Sequence, residues 1–143
     1  LGTAWRGVPG AGAERNGEPC RVSTTHELAD ALVATGFHPA ARQDPAQDNR
    51  DTFARVLTCV RDVRRCGSAA LDLALTADGT YDAYWERTLN AWDTVAGTAI
   101  ALAAGATVTN LEGGPVDLSI GHLIASNGHL HREVQALMAA PHP

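Results

Sequence analysis

Two places in the chain bring ionisable or small residues to the start of a helix, where ligand chemistry is readily done. The first is Glu86 followed by Trp92-Asp93. Asp93 stands at an expected helix start beside a large aromatic residue. A carboxylate there can cap the helix, accepting N–H bonds from Val95 or Ala96. It can also serve as a hard oxygen ligand for Mg2+, an ion that favours carboxylates and retains several waters. Glu86 reads as readily as a solvated charge at a strand end. The second place is Gly67-Ser68-Ala69-Ala70. Small residues let a ligand approach the backbone, and the unpaired N–H groups of a first helical turn favour anions and hydroxyl oxygens. Gly-Ser is equally an ordinary helix cap. Spacing alone leaves each of these alternatives open.

The other chemistry-bearing residues are less convergent. His129-x-His131 has the spacing of two ligands on a strand, but it precedes an expected helix and reads as a solvated cap region. His122, His26 and His38 have no partner at ligand spacing. No G-x-S-x-G elbow surrounds Ser68, so a serine nucleophile is not indicated. Cys66 lies beside Arg64, Arg65 and a helix start, a setting that suits a reactive thiol. A small buried hydrophobe is its plainer role.

These residues must be held by elements that the sequence outlines. Residues 1–23 read as a β-hairpin, with a strand at Thr3–Arg6, a turn at Asn16-Gly17 and a return strand at Cys20–Val22. Ala31–Ala34 is a short buried strand ended by Gly36. Residues 38–48 carry Pro39 and Pro45 and read as a surface loop. Asp48 or Asn49 caps a helix to about Val63, with Phe53, Val56, Leu57, Val60 and Val63 as its apolar stripe. A helix then starts at Gly67-Ser68 and stops at Gly79, and Tyr81–Trp85 alternates like a strand. The helix opened by Trp92-Asp93 runs to about Ala104. Strands at Thr107–Thr109 and Leu123–Ala125, a turn at Gly113-Gly114-Pro115 and a helix over Leu130–Ala140 complete the pattern. Strands alternating with helices indicate an α/β layered domain with a mainly parallel sheet.

Composition agrees with one globular domain: 143 residues, 45 % hydrophobic and 19 % charged. Eleven basic residues, all Arg, stand against sixteen acidic ones, for a net charge of −5. That balance disfavours a nucleic-acid partner. No apolar run has the length of a membrane span and no secretory signal is visible. Cys20, Cys59 and Cys66 are an odd number without C-x-x-C spacing, which suits a reducing cytoplasm better than a disulfide framework or a zinc site. The chain opens at Leu1 rather than Met, as a processed chain or a piece of a longer protein would.

The order of the pieces carries more than any one of them. The run Arg64-Arg65-Cys66-Gly67-Ser68-Ala69-Ala70-Leu71-Asp72-Leu73-Ala74 precedes Asp78-Gly79-Thr80-Tyr81-Asp82-Ala83-Tyr84-Trp85-Glu86. Leu89-Asn90-Ala91-Trp92-Asp93-Thr94-Val95-Ala96-Gly97 follows, then Thr107-Val108-Thr109 and Gly113-Gly114-Pro115. This order resembles the C-terminal half of the inositol monophosphatase family, the Mg2+-dependent, lithium-sensitive phosphatases. The Trp-Asp-x-x-Ala-Gly block is similar to that family's C-terminal signature. Thr35-Gly36-Phe37 and Ala125-Ser126-Asn127 also resemble family segments.

The resemblance implies that Asp93 is a metal ligand near the phosphate. It implies that Glu86 accepts hydrogen bonds from substrate hydroxyls, and that Gly67, Ser68 and Ala69 contact the substrate through their backbone. It implies a layered α/β sandwich with a mainly parallel sheet flanked by helices and preceded by a β-hairpin. Residues 1–24 would belong to the sheet of a missing N-terminal domain, and residues 25–143 would be the C-terminal α/β domain. Two or three Mg2+ ions, inhibition by Li+, a small phosphorylated polyol such as inositol 1-phosphate and a homodimer are implied for the complete enzyme. Histidinol phosphate and fructose 1,6-bisphosphate are alternative substrates of the same superfamily. A non-catalytic remnant serving as a binding or assembly module is the alternative from another class.

The departures are as informative. The family's Glu-Glu pair and Asp-Pro-x-Asp-Gly-Thr block are missing. Asp44-Pro45-Ala46-Gln47-Asp48 has an extra residue between the acids, lacks Gly-Thr and reads as a loop. The family's Glu-Ala-Gly-Gly is Ala103-Ala104-Gly105-Ala106 here. One carboxylate cannot hold two hard cations, so weak Mg2+ binding and little activity are expected of the chain alone.

Overall fold

Alternation decides the middle of the molecule. In the computed structural model, which describes residues 2–44 and 47–139, a five-stranded sheet lies at the centre, its three middle strands almost wholly buried and its two edge strands partly exposed. The strands are β4 (Leu32–Thr35), β5 (Asp62–Arg64), β6 (Ala83–Glu86), β7 (Thr107–Thr109) and β8 (Leu123–Ser126), in the order β5-β4-β6-β8-β7. The β4 pairings with β5 and β6 are parallel. β8 is antiparallel to both its neighbours, β6 and β7, so it alone runs against the other four.

Successive side chains on these strands enter opposite cores. Val33, Trp85 and Ile124 pack with Val56 of α1 (Arg50–Leu57) and with Val134 and Met138 of α4 (His131–Ala139). Ala34, Tyr84 and Ala125 face the other way, onto Ala69 and Leu73 of α2 (Ala69–Ala77). α3 (Ala91–Ala103) lies beside α2, with Gly97 against Leu73: a Cβ at Gly97 would stand 2.7 Å from that of Leu73.

A second sheet covers the far side of α3. It comprises β1 (Trp5–Val8), β2 (Gly12–Arg15) and β3 (Glu18–Cys20), all antiparallel. Gly7 lies so close to Ile100 that a Cβ would stand 2.7 Å from the Ile100 Cα. Ala13 packs with Ala101 and Ala104. The layers are therefore helices, five-stranded sheet, helices and three-stranded sheet, the layered α/β architecture expected.

Three local expectations are corrected. The N-terminal element has three strands, not two. Asn16-Gly17 does form a two-residue turn, with φ of 54° and 85°, but it joins β2 to β3. The helix expected to reach Val63 ends at Leu57. Residues 62–64 instead pair with β4, since the N–H groups of Arg61 and Asp62 are drawn to the Ala31 carbonyl. Val60 and Val63 still pack on the core that Phe53 and Val56 join, so strand and helix present one apolar stripe by different backbones. The 38–48 loop contains a 3-10 turn over Pro39–Gln43. Pro45, Ala46 and Ala140 lie outside the described residues.

Candidate active site

The three parallel strands β5, β4 and β6 end at one edge of the sheet, and the segments that leave them enclose a cavity of about 370 Å3. Its walls are Gly36–Pro39 after β4, Arg65 and Gly67–Ala70 after β5, and Glu86, Thr88 and Leu89 after β6, with Trp92 and Asp93 at the start of α3. The carboxyl ends of strands are where open α/β sheets bind ligands. All five residues that the sequence singles out (Gly67, Ser68, Ala69, Glu86 and Asp93) line this cavity. A groove of about 560 Å3 beneath the three-stranded sheet contains none of them.

Each wall has a local cause. Ser68 adopts extended φ/ψ at the N-cap of α2 and its Oγ accepts from Leu71 N at 3.4 Å. Gly67 before it has φ +81°, a conformation that favours glycine. Asp93 is the third residue of α3, and its Oδ2 accepts from the backbone N (3.0 Å) and Nδ2 (3.2 Å) of Asn90. This is a capping box reaching back to Asn90, not the bond to Val95 or Ala96 expected from the sequence. Oδ1 of Asp93 accepts no hydrogen bond from a described residue.

Glu86 ends β6 half-buried, and its Oε2 accepts from the Tyr84 hydroxyl at 2.5 Å. Burial pushes its carboxyl above the usual range, and the charge of Asp93 adds to the rise. The Tyr84 hydroxyl, Arg65 and His38 oppose it. The Arg65 guanidinium lies over Gly67, 3.6 Å from where a Cβ would be. Behind the cavity, Asn49 is buried at 3 % exposure. It donates to Thr35 Oγ1 (2.7 Å) and the Gly36 carbonyl (2.9 Å), and accepts from Trp85 Nε1 (2.8 Å). Asn49 thus ties α1 to the ends of β4 and β6 instead of capping its own helix.

Beneath the 67–70 turn, Asp72 is fully buried with neither oxygen hydrogen-bonded to a described residue. Burial raises its pKa to about 6; the Cys66 thiol and Arg65 hold the rise down and Glu86 adds to it. Cys66 is exposed rather than buried as expected, with Sγ 3.1 Å from Tyr81 Oη. His131 is buried with its ring between Thr109 Oγ1 and Ser126 Oγ, both at 2.9 Å, so His129-x-His131 is not a ligand pair.

Sequence reasoning left Gly36, His38, Arg65 and Thr88 out of the site. Arg65 had a signal, its place two residues before Gly67. Thr88 had none: its φ of +64° is unusual for a β-branched residue and follows from the fold.

Fold and cavity together define a layered α/β domain with an acidic cavity at the carboxyl ends of its parallel strands. Residues 1–141 match the inositol monophosphatase family, and the chain belongs to that family. It is 41 % identical over 138 residues to an inositol-1-monophosphatase of Synechocystis, an alignment covering 96 % of this chain and 48 % of that protein. It is 40 % identical over 119 residues to Nus factor SuhB of Pseudomonas aeruginosa, covering 82 % and 44 %. The solved inositol monophosphatase of Anabaena superposes with a TM-score of 0.90 at 40 % identity, covering 96 % of this chain and 54 % of that one. The chain spans about half the length of the curated relatives it matches.

Proposed function

We propose that this chain is the alcohol-binding half of a Mg2+-dependent phosphomonoesterase acting on inositol 1-phosphate or a similar small polyol phosphate. The observation that carries the reading is the convergence of Asp93, Glu86 and the Gly67–Ala70 turn on one cavity. Glu86 would accept a hydrogen bond from a substrate hydroxyl, and the backbone of Gly67, Ser68 and Ala69 would line the alcohol's path. Histidinol phosphate and fructose 1,6-bisphosphate present similar donors and remain the alternative substrates.

Mg2+ takes about six oxygens. The open Oδ1 of Asp93 fits as one of them. No group of three metal-ligating side chains exists among the described residues, so the rest of the coordination must come from water, substrate phosphate and carboxylates outside this chain. When bound, such ions supply an activated water and neutralise charge on the leaving oxygen. Li+ would compete for the same oxygens.

Residues 1–24 are best read as one edge of a sheet that a further polypeptide segment completes, and residues 25–143 as the α/β domain. β1 pairs only on its β2 side among the described residues. On α3, Trp92, Val95 and Leu102 are exposed at 80 %, 51 % and 48 %. The free cysteines suit a cytoplasmic setting, and a homodimer is the assembly the reading expects.

The test is phosphate release from inositol 1-phosphate, histidinol phosphate and fructose 1,6-bisphosphate, with Mg2+ and with added Li+. The 143-residue chain is expected to be nearly inactive, and the chain joined to its upstream coding sequence active and Li+-sensitive. Light scattering should give two chains per particle. A second reading, a non-catalytic binding or assembly module, is favoured by the lack of a complete ligand set. No turnover in either form would select it.

A further inference from the structure

Glu86 offers the cavity only one free oxygen. Tyr84 stands two residues earlier on β6 and so on the same face of the strand. Its ring is fully buried in the core with Leu73 and Leu123, and its hydroxyl donates to Glu86 Oε2 at 2.5 Å. Gly36, at the end of the neighbouring strand, lies under the same carboxylate, where any Cβ would collide with it. Oε1 accepts no hydrogen bond from a described residue and is not one of the buried unpaired side-chain atoms. It is therefore open, on a residue that lines the cavity.

We propose that Tyr84 is a positioning residue for Glu86. Its buried hydroxyl ties down Oε2 and presents Oε1 to the cavity as a single pre-aimed acceptor for a hydroxyl or ammonium group of the ligand. A free glutamate side chain would lose rotamer freedom on binding, and holding it in advance removes that cost. An O–H donor on a carboxylate makes a short, strong bond, and a packed ring cannot swing it away. With Oε2 held by Tyr84, the oxygen aimed at the ligand is Oε1, so selection falls on a donor group placed at that spot. The ligand-binding role of Glu86 rests on the phosphatase reading above; the Tyr84 clamp itself does not.

Two measurements on Tyr84→Phe test this. The first is a carbon-13 NMR titration of the Glu86 carboxyl in the 143-residue chain. Losing a donor to the charged form raises the midpoint, by an expected ~0.5 unit or more. Tyr81→Phe, which removes a hydroxyl facing Cys66 rather than Glu86, should leave it in place. An unmoved Glu86 midpoint in Tyr84→Phe overturns the proposal. The second is a binding cycle with inositol 1-phosphate, followed by NMR so that weak binding is still read. Tyr84→Phe should weaken binding about tenfold, and add no further loss in a Glu86→Gln background. An equal loss in that background marks Tyr84 as merely structural and overturns the proposal. A shifted Glu86 midpoint in a chain that ignores inositol 1-phosphate supports the clamp, and the phosphatase reading then stands or falls on turnover by the chain joined to its upstream coding sequence.

Discussion

The Glu86 carboxylate fills the space over the Gly36 α-carbon where any other residue would carry its Cβ. Two strands that are neighbours in the sheet but fifty residues apart in sequence thus shape one acidic group. Gly36→Ala should drive that carboxylate out toward solvent. Burial is the largest cause of its raised pKa, so its titration midpoint should fall toward the ordinary carboxylate range. The displaced packing should cost about 1–3 kcal/mol by urea unfolding. Unchanged stability together with an unchanged midpoint would show that the carboxylate does not occupy that space.

Asn49 should matter to stability far more than a helix cap does. Asn49→Ala leaves Trp85 Nε1 without its acceptor and the Gly36 carbonyl and Thr35 hydroxyl without their donor. These groups are buried, so the expected loss is about 2–4 kcal/mol from chemical denaturation. A loss within about 0.5 kcal/mol, the size of an exposed substitution, would contradict this account.

The buried Asp72 makes stability fall as pH rises. Its folded pKa is raised to about 6 from the ordinary aspartate value of 3.8. Between those values the folded chain binds more proton at this site than the unfolded chain. Stability from this group is therefore full below about pH 4, declines toward pH 6 and stays low above it. Asp72→Asn should remove that slope and gain about 1–3 kcal/mol at pH 7.5. Urea midpoints of both chains across pH 4 to pH 8 check it; parallel profiles would sink it.

Gly97 sets the closeness of α2 and α3. A methyl group there meets the Leu73 side chain at 2.7 Å and 2.8 Å. Gly97→Ala should cost about 1–3 kcal/mol, and Leu73→Ala in the same chain should recover part of it despite its own cavity cost. The pair should deviate from additivity by more than about 0.5 kcal/mol in thermal or urea unfolding. Strict additivity would mean that the added methyl does not press on Leu73 Cδ1, the contact that Leu73→Ala removes while keeping the one at Cβ.

Much of the fold is legible residue by residue. Ser68 capping α2, Asn16-Gly17 turning a hairpin and the alternation before Glu86 are short-range signals, and each has its element. The failures share a cause. Val60 and Val63 continue a helical spacing, yet hydrogen bonds to the Ala31 carbonyl draw the chain beyond Leu57 into the sheet. Asn49 stands at a helix start, yet its amide is taken by Thr35, Gly36 and Trp85. Long-range partners outcompeted the local ones in both cases.

By itself, the sequence determined the succession of elements, the family resemblance and the candidate residues Gly67, Ser68, Ala69, Glu86 and Asp93, because caps, turns and alternation depend on near neighbours. Only the tertiary structure decided that these residues share a wall with Gly36, His38, Arg65 and Thr88. It also decided that one oxygen of Glu86 is already taken by Tyr84. The reason is topological: β4, β5 and β6 lie side by side and parallel, so three loops distant in sequence open at one end of the sheet. No spacing within a single segment encodes that meeting.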